Sequence, residues 1–245
     1  MHSPLRSAIP IETLLLAYRS GIFPMADARE DQDIFWVEPR DRAILPLEMF
    51  HLSKSLRKVV RSDRFTVTLD TAFEKVVRAC AAPRPGHPET WISERILSSY
   101  VALHEAGHAH SIECWLTDES DADGAPQLVG GLYGVSFERV FCGESMFSRT
   151  DNASKVALAW LVALMRRAQY QLLDCQFMTD HLASLGAIEM PQRMYLQALE
   201  RARGRPQLSL MEAYRSFTGA AQPSSDGALS DSPGKLIAQS LTQTS

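Results

Sequence analysis

The sequence predicts an α+β fold in which a mixed β-sheet is covered by helices, behind a small N-terminal domain. Three strand-like runs follow one another at 110–117, 127–137 and 139–147, as expected for an antiparallel meander. An amphipathic helix at about 152–168 and a further strand at 170–177 come next. This order of meander, helix and strand is typical of a sheet with helices packed on its faces.

Composition limits both the fold and the function. With 245 residues, 45% of them hydrophobic, the chain can bury one core and a small additional lobe. A formal net charge of −4 argues against nucleic-acid binding over the whole surface but allows a local basic patch. Four scattered cysteines without a CxxC pair predict neither a zinc ribbon nor a disulfide framework. Because the N-terminus is not signal-like and no run of about 18 apolar residues occurs, we expect a cytoplasmic protein without a membrane segment.

Changes in composition and hydrophobic pattern along the chain predict three regions. Residues 1–45 form a small N-terminal domain with one short helix at 11–19, followed by segments rich in glycine and proline, GIFPM and WVEPR, which we expect to be loops. Residues 46–203 form the catalytic domain, which closes with a helix around 192–203. The remaining residues, 204–245, are rich in Ser, Gly, Gln and Pro and predict a disordered tail.

Two further helices are expected before the meander. The run FTVTLD from Phe65 alternates like a strand, and Thr71 with Glu74 matches a capping box that would open the helix after it. The second helix starts at Ser93, has apolar residues on one face at spacings of three and four, and is stopped by Gly107.

The motif HEAGH at the end of this second helix matches the H-E-x-x-H pattern of zinc proteases. That chemistry requires both histidines on one face of a continuous helix. Because Gly107 ends the helix between His104 and His108, we expect the two side chains to diverge and predict no metal site.

The strand LLDCQF places a polar pair on an otherwise apolar strand. With a period of two residues, Asp174 and Gln176 project to the same face. Glu144 on a preceding strand and Asn152 at the next helix start are expected near the same sheet edge. Polar groups that converge beside apolar walls are typical of a small-ligand pocket, although a buried Asp bound to backbone donors would leave the same pattern.

Several long runs resemble one known family, the leucyl/phenylalanyl-tRNA protein transferases. They are YRSGIFPM, TWISERILSSYVALHEAGHAHSIECW, LVGGLYGV, FCGESMFSRTDNASKVAL, LLDCQF and HLASLGA, spread over about residues 10–200. The resemblance implies a GCN5-related acetyltransferase-like domain behind a small N-terminal domain. It implies transfer of Leu, Phe or Met from aminoacyl-tRNA to a protein whose N-terminal residue is Arg or Lys, which creates a degradation signal. It implies no metal, coenzyme A or other cofactor.

The resemblance also assigns roles to the three polar residues. Glu144 would receive the basic group of the acceptor protein, a charge-assisted contact at a partly dry site. Asp174 and Gln176 would carry the chemistry, because the acceptor amine must be aligned with the ester carbonyl and the developing oxyanion must be stabilised. We expect Asp174 to orient the reacting groups more than to act as a base.

The donor side chain needs an apolar pocket that accepts both Leu and Phe. By match to the family, its walls are Leu132, Phe141, Met146, Leu158, Leu161, Met165 and Leu173. Three of these residues follow helical spacing, and such a stripe is equally consistent with an ordinary hydrophobic core.

Two sets of residues are assigned to tRNA. Trp91 matches the family residue that stacks on the terminal adenosine, with Tyr100 nearby, and Met25 stands where some relatives have tryptophan. The phosphate backbone needs cations, which crowd one predicted helix that is otherwise consistent with a merely solvated surface. These cations are Lys54, Arg57, Lys58, Arg61 and Arg64, with Asp63 as the opposing acid.

Two other functions share part of this pattern. An acetyl-CoA-dependent N-acetyltransferase would need a glycine-rich loop before the central helix, where this chain has SRTDNASK. A non-enzymatic adaptor that captures basic N-termini would use Glu144 but not Trp91 or the basic helix. The sequence therefore favours an aminoacyltransferase, which we expect to be a monomer.

Overall fold

The computed structural model describes residues 7–31, 33–83, 89–117, 124–219 and 231–242. Within these residues, seven strands form one mixed sheet in the order β4-β5-β6-β7-β8-β3-β9, and two short strands, β1 and β2, form a separate ribbon. The strands are β1 (Phe23–Met25), β2 (Phe35–Val37), β3 (Asp41–Ile44), β4 (Thr66–Leu69), β5 (Ala109–Leu116), β6 (Gln127–Phe137), β7 (Val140–Ser148), β8 (Leu172–Gln176) and β9 (Ile188–Pro191).

Helices cover both faces of this sheet. They are α1 (Ile11–Arg19), α2 (Lys54–Arg61), α3 (Phe73–Cys80), α4 (Glu94–Glu105), α5 (Ala153–Ala168), α6 (Asp180–Ser184), α7 (Gln192–Arg201), α8 (Leu210–Thr218) and α9 (Pro233–Ser240). The core on one face contains residues of α2, α5, α8 and α9, whereas the core on the other contains residues of α1, α3, α4 and α7. The predicted α+β fold with a central mixed sheet and a small N-terminal part is thus confirmed. No helix in the described part of the chain is long and apolar enough to cross a membrane.

The centre of the fold is the parallel pair β7–β8. The predicted meander β5–β6–β7 is antiparallel throughout, but β8 pairs parallel to β7. A parallel connection needs a long crossover. Helix α5 provides it, and most of its residues are buried because it lies between the sheet and the helices α2, α8 and α9.

Of the helix signals predicted before the meander, those for α4 are confirmed and the one for α3 is wrong. Ser93 caps α4 through a side-chain contact with the Ile96 amide, and Gly107 follows the helix end with a φ of +79°, as predicted. The capping box at α3 was wrong. Ala72 occupies the N-cap without a side-chain bond, and the Thr71 hydroxyl donates to Glu113 instead.

The N-terminal region contains strands that the sequence did not predict. The segments expected to be loops form β1 and β2, which pair antiparallel. Strand β3 belongs to the seven-stranded sheet, between β8 and β9, although it lies within the region predicted as the N-terminal domain. The division of the chain at residue 45 remains a prediction.

The expectation of a disordered tail is wrong for the described residues of 204–245. Helix α8 starts with a capping box between Ser209 and Glu212, and both α8 and α9 bury apolar side chains in the core that contains α5. Glycine and serine content misled the prediction because short helices can be stabilised by tertiary packing rather than by their own composition. Residues 220–230 and 243–245 lie outside the described residues.

Docking of α9 can be tested by truncating Ile237, whose side chain is fully buried. We expect Ile237→Ala to lower the free energy of unfolding by about 2 to 4 kcal/mol, measured by urea denaturation, because it leaves a cavity in the core. Leu16→Ala is the matched control, since Leu16 is 66% exposed on α1. Equal stability of the two variants would contradict the packing of α9.

Candidate active site

A cavity of about 410 Å³ opens where β7 and β8 separate. The two strands pair from Val140 and Leu172 only as far as Cys142 and Asp174. Beyond that point each strand continues with its other neighbour, so a gap forms between them, and residues of both strands line it. A concave, mainly apolar site with a few polar groups is the usual form of a small-ligand pocket.

Glu144 enters this cavity from a β-bulge. Gly143 and Ser145 pair with the consecutive residues Gly134 and Tyr133 of β6, so that Glu144 is an extra residue on β7. A bulge redirects a side chain and is common next to active sites. Glu144 lines the cavity although its side chain is buried.

Two tyrosines complete a ring of hydrogen bonds with Glu144. The hydroxyls of Tyr18 and Tyr100 lie 2.8 Å from Oε1 and Oε2 respectively, and 2.6 Å from each other. Three contacts require three protons, but the two tyrosines supply only two. The ring is therefore fully hydrogen-bonded only when Glu144 is protonated and donates to one of the tyrosines.

The electrostatics of Glu144 agree with this proton count. The pKa of Glu144 is raised to about 7, mainly because burial disfavours its charged form. Polar contacts with Tyr18, Gln176 and Tyr100 oppose this shift, and the negative charge of Asp174 adds to it. The same acid would have a pKa of about 4.3 in water. Glu144 therefore changes its charge near neutral pH.

Asp174 is held in a fully buried ion pair that the sequence did not reveal. Arg42 on β3 donates from Nε to Oδ1 at 2.9 Å and from Nη2 to Oδ2 at 2.6 Å. The hydroxyl of Tyr195 donates to Oδ2 at 2.8 Å, and the guanidinium lies between the rings of Phe23 and Tyr195. Burial alone would lower the pKa of Arg42, but Asp174 raises it well above the ordinary value. Asp174 does not line the cavity.

Gln176 is positioned through its backbone by this ion pair. Its amide N–H donates to Asp174 Oδ1 at 2.8 Å, and its φ of +62° lies in the left-handed region. A non-glycine residue in this region must be held there by its surroundings. The side-chain amide lies near Glu144 and lines the cavity, yet Nε2 is buried and has no hydrogen-bond partner of normal geometry within the described structure.

The apolar wall of the cavity contains most of the residues predicted for the donor pocket. Those that line it are Leu132, Met146, Leu158, Leu161 and Leu173. The other two, Phe141 and Met165, are fully buried in the adjacent core and do not line the cavity. Further lining residues that sequence reasoning missed are Tyr133, Gly143, Ser145, Cys175, Phe177, Thr179, His181 and Leu182. The last four follow β8 in the sequence, which is the signal that could have identified them.

The residues assigned to tRNA separate into three places. Trp91 and Met25 both line the cavity and are partly exposed. Tyr100 is 1% exposed and its hydroxyl is bound to Glu144, so it has no face free for a base, and its assignment to the RNA surface was wrong. The cations Lys54, Lys58 and Arg61 lie on α2, as predicted, and border a separate shallow depression.

Other polar residues singled out in the sequence lie outside the cavity. Asn152 precedes α5 but does not line the cavity. His104 is on α4, where its ring stacks on Phe73 at 4.3 Å and Nδ1 contacts the Ala109 carbonyl, whereas His108 follows the end of the helix. Among the described residues, no group of three or more His, Cys, Asp or Glu side chains could hold a metal ion.

Comparisons with known proteins agree with the resemblance noted in the sequence. A family model described as leucyl/phenylalanyl-tRNA protein transferase matches residues 44–200, and the model of its N-terminal domain matches residues 8–40. The leucyl/phenylalanyl-tRNA protein transferase of Novosphingobium aromaticivorans is 55% identical over 264 aligned residues, which cover 97% of each chain. The protein of the same name from Zymomonas mobilis is 56% identical over 189 residues, 77% of this chain and 68% of its own.

Similarity to solved structures is lower. The crystal structure of FemX superposes with a TM-score of 0.45 and 12% sequence identity, and it covers 74% of this chain and 66% of the FemX chain.

The raised pKa of Glu144 makes stability depend on pH. A carboxyl that binds its proton more tightly in the folded state stabilises the protein at low pH, and this contribution is lost as the pH rises through about 7. Glu144→Gln does not ionise, so we expect wild type to lose about 2 to 3 kcal/mol of unfolding free energy relative to this variant between about pH 5 and 8. Urea denaturation at several pH values measures the difference. Glu105→Gln, at an exposed acid on α4, is the control. Parallel pH profiles for wild type and Glu144→Gln would contradict the burial of a charged Glu144.

Proposed function

The chain belongs to the leucyl/phenylalanyl-tRNA protein transferase family, and on this basis we propose that it transfers Leu, Phe or Met from aminoacyl-tRNA to the N-terminal Arg or Lys of acceptor proteins. One observation supports this function most strongly. The buried Gln176 Nε2 has no hydrogen-bond partner of normal geometry and lies beside the Glu144 carboxyl group and an apolar wall, as the reaction of an amine with an apolar aminoacyl ester requires.

The aminoacyl side chain of the donor would occupy the apolar half of the cavity. A volume of about 410 Å³ is sufficient for a Leu or Phe side chain with its ester group. Met146 and the leucines of α5 and β8 form soft walls without hydrogen-bonding groups. Such walls distinguish apolar side chains by only about 1 to 3 kcal/mol per methylene, which is consistent with more than one donor amino acid.

Gln176 would stabilise the ester carbonyl during attack. When the acceptor nitrogen forms a bond to the carbonyl carbon, negative charge develops on the carbonyl oxygen before the bond to the ribose oxygen breaks. A buried amide donor held in place by the protein stabilises that charge better than water does. We propose that Asp174 is a positioning residue for Gln176, because its oxygens are already bonded to Arg42, Tyr195 and the Gln176 amide.

Glu144 would receive the cationic group of the acceptor. In its ionised form it attracts an ammonium group, and its pKa of about 7 is close to the value of about 8 for an N-terminal amine. We propose that the α-ammonium transfers its proton to Glu144, which yields the neutral amine needed for attack and completes the ring with Tyr18 and Tyr100. In the overall reaction the C–N bond replaces the C–O bond. The second proton of the attacking nitrogen goes to the released ribose oxygen, and Glu144 returns the first proton to solvent.

The tRNA would bind at two places. Trp91 and Met25 line the cavity. The terminal adenosine would pack on the aromatic ring of Trp91 and on the thioether of Met25. The exposed cations of α2 would contact the phosphate backbone, and few base-specific contacts are expected.

Several finer properties belong to the same proposal. A mixed sheet with helices on both faces supports a GCN5-related acetyltransferase-like fold. We also propose that the protein acts as a monomer. Because its substrates are aminoacyl-tRNA and proteins, we place the reaction in the cytoplasm and its product among N-terminal degradation signals. No cofactor is part of the proposed reaction.

The function is tested by incubating the full chain with labelled Leu-tRNA and a short peptide that begins with Arg. We expect labelled leucine on the peptide N-terminus, detected by mass spectrometry. A peptide that begins with acetylated Arg is the control, because it has no amine to attack the ester. Labelling of both peptides, or of neither, would contradict the proposed reaction.

The role of Gln176 is tested by Gln176→Ala. We expect turnover at saturating donor and acceptor to fall about 100-fold, because the lost contact strengthens as the carbonyl becomes tetrahedral. Gln197→Ala, at an exposed position of α7, is the matched control. A variant with normal turnover and only a higher KM would instead assign Gln176 to substrate binding.

A further inference from the structure

Helix α9 is fastened to the end of α2 by a specific set of contacts. The side chain of Asp63, just beyond α2, accepts hydrogen bonds from the Gly234 amide at 2.7 Å and from the Ser232 hydroxyl. These groups lie at the N-terminus of α9, where a negative charge is favourable. A Cβ atom at position 234 would lie 2.0 Å from the Val60 carbonyl oxygen, so only glycine permits this approach.

The docked helix changes the charge of the surface around α2. Lys235 joins the cations of α2 around one depression of about 510 Å³. Its lining residues are Lys54, Arg57, Lys58, Arg61, Ser62 and Lys235, which we call the basic depression. The acid nearest to these cations in sequence, Asp63, has its carboxylate bound to α9. The docked helix thus adds a cation to this surface, and its N-terminal groups hydrogen-bond the Asp63 carboxylate.

The remaining opposing charge is weak. Lys235 Nζ lies 3.9 Å from Asp231 Oδ1, and both side chains are almost half exposed. An exposed pair at this distance contributes little energy and leaves the ammonium group accessible. The cations of α2 are themselves exposed. The basic depression is therefore available to an anionic partner.

A nucleic-acid backbone matches the shape and charge of this surface. The eight residues of α2 extend over about 12 Å, which is long enough to contact several phosphate charges of one duplex. The basic depression contains five cationic side chains and no carboxylate. Segment 231–242 lies beyond residues 44–200, the part of the chain that matches the family model, so its contribution is not part of that common region.

We propose that α9 is a working part of the tRNA surface of this protein, with Lys235 in contact with a phosphate group. This inference rests on the proposed function and adds a contact from outside the matched region. Helices α8 and α9 then complete a core, and α9 also extends the RNA surface.

The test measures equilibrium binding of Leu-tRNA to the full chain at several KCl concentrations. The variants are Lys235→Ala, Lys235→Arg, the matched control Lys75→Ala at an exposed lysine of α3, and a triple reversal of Lys54, Lys58 and Arg61 to Glu. Thermal unfolding of each variant verifies that the fold is intact. For Lys235→Ala we expect affinity about five- to tenfold lower at 0.1 M salt, and a salt slope reduced by about 0.7 to 0.9, as for one lost phosphate contact.

The outcomes separate the inference from the function. Weaker binding with a smaller slope in Lys235→Ala, restored in Lys235→Arg and absent in Lys75→Ala, supports the inference. If the triple reversal weakens binding but Lys235→Ala behaves like Lys75→Ala, the inference is overturned while the basic face of α2 remains the RNA surface. If neither changes binding although labelled leucine still reaches the Arg peptide, the tRNA binds elsewhere and the inference also fails.

Discussion

The buried ion pair between Arg42 and Asp174 is the contact on which the site depends. It joins β3 to β8, and the guanidinium carbon lies 4.7 Å from the ring centre of Phe23 and 4.6 Å from that of Tyr195. Burial of two charges is unfavourable unless their hydrogen-bonding groups are occupied, and here the carboxylate accepts four hydrogen bonds, one of them from Gln176. The left-handed backbone of Gln176 is therefore a consequence of charge pairing beneath the cavity. The Gln176 side chain, which lines the cavity, is thus positioned by groups that do not line it.

Local patterns predicted the meander, α1, α4 and α5, because periodicity and capping signals act over a few residues. They did not predict the partner of Asp174, since Arg42 lies 132 residues away in a short segment without a periodic pattern. They also could not reveal the bulge at Glu144, because the shift in register depends on both β6 and β7. The misplacement of Tyr100 has a similar cause: a helical face indicates burial but not which polar group it meets.

Residue chemistry and the family resemblance predicted more of the site residues than the patterns of secondary structure did. Glu144 and Gln176 were identified by type and motif, and the structure brings them together at one cavity. The protonation behaviour of Glu144 required coordinates, because it follows from two hydroxyls contributed by α1 and α4. The C-terminal helices were missed for the opposite reason, since composition suggested disorder while their stability comes from contacts with α5 and α2.

The position of β3 also determines when the site can form during folding. This strand pairs with β8 and β9, which follow it by more than a hundred residues, so the sheet closes only after a very long loop has been ordered. Contacts of such large sequence separation are slow to form. Until β3 inserts, β8 has an open edge and Asp174 lacks its counterion. A chain in which β3 has not yet paired therefore lacks the Arg42 contact that holds Asp174, and with it the support for the Gln176 backbone.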